Sequence, residues 1–97
     1  MSLKTVTIRD AASGATAKIA PEMGFNCYSF QVLSSQGTIE TLWSAADFTS
    51  GQARPSGSGI PLLFPFAGRI RGTSFEYAGK EFKLPAGDGR GNAIHGF

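Results

Sequence analysis

The sequence predicts an all-β, antiparallel architecture. Apolar residues alternate with period two in several short segments, as they do in strands with one buried face. No window shows a sustained apolar repeat at helical spacing. Thirteen glycines and five prolines break the 97 residues into short pieces.

The segments justify that class in order. "KTVTIRD" sets Val6 and Ile8 on one face against Thr5, Thr7 and Arg9, and "TAKIA" repeats the pattern after a turn at Ser13-Gly14, which makes a hairpin. "FNCYSFQVL" is β-branched and aromatic with apolar residues on both faces, suiting a strand between two layers, and "SSQG" turns it into "TIETLW". "SAADFTSGQARPSGSG", residues 44–59, has the Ser, Gly and Pro content of a surface loop and divides the chain in two. In "GSGIPLLFPFAGRIRG", Pro61 and Pro65 bracket an apolar run that cannot be a regular central strand, so an irregular extended segment is expected. "TSFEYAGKEFKLP" reads as a hairpin with its turn at Ala78-Gly79-Lys80, and "AIHGF" reads as the onset of a further strand.

Composition narrows the function. Nine basic and seven acidic side chains leave a formal charge of +2, too little for the field of a nucleic-acid binder or a polybasic membrane anchor. No membrane-length apolar run and no signal-peptide pattern occurs, so a soluble, cytoplasmic protein is expected. One cysteine, Cys27, excludes an internal disulfide framework, and one histidine with a distant cysteine does not make a zinc site. No metal is expected.

The five or so strands legible in the sequence would leave apolar edges unpaired, which argues that residues 1–97 are the amino-terminal part of a single larger β domain. Within them His95 is the one imidazole, able to donate, accept or move a proton near neutrality. Gly91 and Gly96 clear side chains from around it, as a close ligand requires and as turn geometry also does. A hydrogen-bonded structural histidine is the competing reading. Arg69 follows Gly68 and can fork onto hydroxyls or an anion, and Arg71, two residues on, points the same way in an extended chain; spacing alone favours a pair of solvated arginines on a loop. Phe64 and Phe66 read as core residues before sugar-stacking ones. "GDGRGN" has the glycine density of a phosphate loop without its Lys or its helix.

Three of these segments in series, "GIPLLFPFAGRIRG", "FEYAGKEFKLP" and "GNAIHGF", resemble the amino-terminal region of the aldose 1-epimerase (galactose mutarotase) family. The resemblance is close over residues 59–97; residues 1–44 are compatible with the family's opening strands. It implies an antiparallel β-sandwich of the galactose-mutarotase-like type, of which this chain is the first part.

The resemblance also implies an isomerase that interconverts the α and β anomers of free aldoses such as glucose or galactose, without metal or cofactor. A base takes the anomeric hydroxyl proton while an acid protonates the ring oxygen. In the family the base is a late glutamate and the principal acid a second histidine downstream, both outside residues 1–97. His95 matches the family's first histidine, which contacts the sugar near the ring oxygen, and Arg69 matches the arginine of its "GRI" motif. Asn92 matches an asparagine of the same turn and is a further candidate for a sugar hydroxyl. The resemblance carries no nucleic-acid or membrane partner, only a monosaccharide and the remainder of the domain.

The chain continues His-Gly-Phe where galactose mutarotases usually read His-Gly-Gly. Hexose-6-phosphate 1-epimerases share the phenylalanine, so a phosphorylated hexose is the alternative substrate, with Arg54, Arg69 and Arg71 as possible phosphate partners. A β-module that binds carbohydrate without catalysis is the alternative from another class.

Overall fold

A computed structural model describes residues 2–96, so Phe97 of the His-Gly-Phe motif lies outside the described residues. The chain divides into two compact units, Met1–Leu62 and Leu63–Phe97. The elements are antiparallel strands and two short 3-10 turns, the all-β class the sequence predicts.

The first unit is built on a four-stranded sheet in chain order: β1 (Val6–Arg9), β2 (Thr16–Ala20), β3 (Asn26–Ser34) and β4 (Gly37–Glu40). Asp10 closes the first hairpin, its carboxylate accepting the Ser13 backbone N–H at 2.8 Å and the Ser13 hydroxyl at 2.6 Å. These local bonds satisfy the turn while Gly14 takes the left-handed backbone at φ 74°. Ser35 and Gln36 close the β3–β4 hairpin, where Ser34 pairs with Gly37.

The β2–β3 register shifts between Lys18 and Ile19, whose partners are Ser29 and Cys27, so Tyr28 is the extra residue of a bulge. Its ring packs on Phe48 with centroids 5.1 Å apart. Phe48, only 1% exposed, sits in the short 3-10 turn Phe48–Ser50. The stretch from Ser44 to Gly59 therefore supplies a core residue, and its reading as a surface loop fails at Phe48 and at Ser58, which is 5% exposed. A lone apolar residue among serines and glycines has no periodicity to betray its burial.

Asn26 ties the same stretch to β3. Fully buried, it donates through Nδ2 to the carbonyls of Pro55 and Ser58, both at 2.7 Å, and accepts the Ile60 N–H through Oδ1 at 3.0 Å. Every strong hydrogen-bonding direction of its amide except one lone pair is used, which removes the cost of burying it.

β3 is covered less completely than a strand between two layers would be. Phe30 and Leu33 remain exposed, as do Ile8 on β1 and Ile39 on β4. Both outer strands of the sheet, β1 and β4, are also edges among the described residues.

In the second unit, β6 (Ser74–Tyr77) and β7 (Lys80–Lys83) form the predicted hairpin. Tyr77 pairs with Lys80, so the turn is Ala78-Gly79 alone. Their φ values of 52° and 76° are both positive, the requirement of a type I′ turn, whose twist matches that of the strands. Phe75 and Phe82 face each other across the hairpin and stack with centroids 5.2 Å apart. The Pro-bracketed segment is irregular as expected, with a cis Phe64-Pro65 bond. It leads into β5 (Arg69–Ile70), which pairs with β8 (Ala93–Ile94). The strand expected at "AIHGF" ends at Ile94, because His95 and Gly96 take φ values of 59° and 76° and turn the chain away.

Candidate functional site

The β5–β8 ribbon gathers the residues that can carry chemistry. Arg69 pairs with Ile94 and Ile70 with Ala93, and the backbone ladder runs on at both ends. The His95 N–H donates to the Gly68 carbonyl at 2.9 Å, and the Ala93 N–H donates to the Gly72 carbonyl at 2.8 Å.

Side chains complete the two ends in the same way. The Gly68 N–H donates to His95 Nδ1 at 3.1 Å, and the Gly72 N–H donates to Asn92 Oδ1 at 2.8 Å. Gly68 and Gly72 have φ values of 77° and 71°, which glycine adopts without the strain other residues meet. Each thereby turns an amide toward the side chain that captures it.

The His95 bond fixes a tautomer. A ring nitrogen that accepts an N–H carries no proton of its own, so the neutral imidazole holds its proton on Nε2 and can donate from there. Gly96 holds the ring's backbone in place through a parallel bridge to Phe64. A Cβ on Gly96 would collide with the Phe64 carbonyl, which explains why a glycine follows the histidine.

Asp88 joins the other two candidates, and sequence reasoning missed it. Its Oδ1 accepts the Arg90 N–H at 2.7 Å and the Asn92 N–H at 3.0 Å, and its Oδ2 accepts Asn92 Nδ2 at 2.8 Å and Arg69 Nε at 3.0 Å. The bond from the Asn92 amide, above all, holds the Asp88 carboxyl well below the usual carboxylate range, against the opposing effect of desolvation. The signal was present in "GDGRGN": an Asp two residues before the Arg90 amide is an Asx-turn pattern. The glycines of this segment form a turn around Asp88, whose carboxylate occupies the amides of Arg90 and Asn92 that a phosphate would need.

The structure thus brings Arg69, Asn92 and Asp88 into one hydrogen-bonded cluster, with His95 beside Ile94, the strand partner of Arg69. Arg71 lies just past β5, exposed and without a hydrogen bond among the described residues. Arg54 belongs to the other unit, beside the 3-10 turn Pro55–Gly57.

Among the described residues no three His, Cys, Asp or Glu side chains come together as metal ligands would, and no helix is long and apolar enough to cross a membrane. Compared with known proteins, residues 4–97 match the sequence model of the aldose 1-epimerase family. Neither the curated proteins nor the solved structures gave a match.

Proposed function

The chain belongs to the aldose 1-epimerase family, and from that membership we propose that it forms part of a mutarotase interconverting the α and β anomers of a free aldose such as glucose or galactose. The family points to an isomerase-type enzyme acting on a sugar. The observation that carries the finer reading is His95: a non-glycine residue at φ 59°, its Nδ1 occupied by the Gly68 N–H and its Nε2 left to donate. A left-handed backbone costs a non-glycine residue about 1–2 kcal/mol, and such strain is tolerated where a side chain has to be aimed.

In this reading Nε2–H of His95 hydrogen-bonds the sugar near its ring oxygen, as charge builds there during ring opening. Arg69 binds ring hydroxyls through its Nη groups. Asn92, with Oδ1 on Gly72 and Nδ2 on Asp88, has one amide proton left for a hydroxyl. The general base and principal acid lie outside residues 1–97, and no cofactor is needed. The exposed apolar side chains of the four-stranded sheet support assigning residues 1–97 to a single larger β-sandwich domain.

The test is polarimetry on freshly dissolved α-anomers of glucose and galactose, using the complete protein. Acceleration proportional to protein concentration, and lost in His95→Asn, supports the reading. Sugar binding without acceleration at any concentration overturns it in favour of a non-catalytic module.

A further inference from the structure

We propose that Asp88 is a positioning residue of the sugar site, holding the Arg69 guanidinium by its Nε edge so that the two Nη groups are presented as a fork to sugar hydroxyls. The proposal rests on the reading of Arg69 as a sugar contact and names what aims it.

The exposure of the two partners is unequal. The Asp88 side chain is wholly removed from solvent, whereas 56% of the Arg69 side chain is exposed. In an ordinary surface ion pair both groups keep their water and neither constrains the other much. Here the carboxylate is anchored first: two backbone amides and the Asn92 side chain hold it in place before Arg69 is counted. Asn92 is in turn fixed to Gly72 at the end of the β5–β8 ribbon. A long, flexible arginine is therefore tethered to a rigid point close to its guanidinium.

The tether uses Nε alone. A guanidinium has five N–H donors in one plane, so the four on Nη1 and Nη2 stay available, and among the described residues they have no partner. Fixing the plane in advance lowers the ordering that substrate binding would otherwise require. Arg69 also sits opposite Ile94 on the ribbon, one residue from His95, so the same backbone frame carries both sugar contacts.

Asp88→Asn separates the tether from the turn. If the amide oxygen takes the place of Oδ1, it still accepts the Arg90 and Asn92 amides, and the new NH2 then faces two donors, Arg69 Nε and Asn92 Nδ2. The turn survives and the tether is lost.

The experiment measures glucose anomerisation by the complete protein as wild type, D88N, R69K and the double variant, alongside the NMR signal of the Arg69 Nε–H and of the Gly72 and Ala93 amides. D88N is expected to raise KM about tenfold with a smaller change in kcat, and the double variant to be no worse than its more damaging parent. The Arg69 Nε–H should exchange faster with water in D88N while the Gly72 and Ala93 amides keep their positions. A KM raised by R69K but unchanged by D88N would overturn the proposal and leave the sugar contact standing. Loss of the Gly72 and Ala93 signals in D88N would make Asp88 a folding residue and overturn it too. If neither variant moved KM, Arg69 would not be a sugar contact, and both readings would fall.

Discussion

His95 and Gly68 exchange two hydrogen bonds, the His95 N–H to the Gly68 carbonyl at 2.9 Å and the Gly68 N–H to His95 Nδ1 at 3.1 Å. The backbone bond would survive replacement of the imidazole, and an asparagine amide oxygen can occupy the Nδ1 acceptor position. Asparagine also tolerates the left-handed backbone. What it cannot replace is the reach of Nε2. His95→Asn is therefore expected to lower anomerisation turnover about 10²-fold with little change in thermal unfolding. Normal turnover with reduced stability would assign His95 to structure alone.

Arg69 and Arg71 differ by their surroundings. Lysine at position 69 offers a point charge where Asp88 and the sugar need a planar fork, so Arg69→Lys should impair sugar binding. Arg71→Lys should be nearly silent, since Arg71 is exposed and makes no hydrogen bond among the described residues. For a neutral aldose, KM should scarcely change with added salt. For glucose 6-phosphate it would rise as charge is screened. A preference for the phosphate, with a salt-dependent KM and equal damage from the two substitutions, would replace the free-aldose reading.

Acid should reach the Asp88 cluster in a defined direction. Its folded pKa lies below the ordinary value of 3.8, first through the Asn92 amide and then through the Arg90 and Asn92 backbone N–H groups and Arg69. A depressed folded pKa contributes stability that is complete above the unfolded value and is lost as pH falls from about 4 toward the folded value. Denaturant unfolding of wild type and Asp88→Asn between pH 2 and pH 6 should therefore converge as the solution is acidified. Asp10 and Glu40, lowered chiefly by hydrogen bonds from Ser13 and Ser29, keep a residual acid dependence in the variant. Curves that stayed parallel below about pH 4 would contradict the assignment.

Gly96→Ala combines a positive φ with a collision against the Phe64 carbonyl. The backbone term alone costs about 1–2 kcal/mol, so a lower unfolding midpoint is expected together with weaker anomerisation, because the residue carrying the imidazole must shift. An unchanged midpoint would show that the chain relaxes there freely.

Residues 1–97 on their own should not accelerate mutarotation, since the proposed base and principal acid are not among them. Polarimetry with the isolated chain checks this. Acceleration that scales with chain concentration would move the chemistry into these residues.

The legible parts of the fold are those in which neighbouring residues decide the structure. The β6–β7 hairpin follows from alternation and a turn legible at Ala78-Gly79-Lys80, and the first hairpin from alternation and Ser13-Gly14. Burial of Phe48 depends on Tyr28, distant in sequence, and its neighbours give no hint of it. At the candidate site His95 and Arg69 were visible as chemically capable residues, and their geometry was not. The role of Asp88 arises because β5 and β8 pair across more than twenty intervening residues and bring Arg69 to it. Such a pairing leaves no periodic trace. The end of the strand at Ile94 was missed for a local reason: His95 takes a left-handed backbone, which histidine visits more often than most non-glycine residues but still only in a minority of cases.

Asn26 acts as a checkpoint on strand alignment. Its three bonds reach Pro55, Ser58 and Ile60 from one pleat position of β3, next to the bulge that sets the pairing with β2. A slip by one residue would turn its amide to the opposite face, leaving a polar group and the Pro55 and Ser58 carbonyls without these bonds. Alternation of apolar residues discriminates weakly here, because β3 carries them on both faces. The correct alignment is thus recognised by a single side chain, and the stretch from Ser44 to Gly59 makes these bonds only to a sheet in that register.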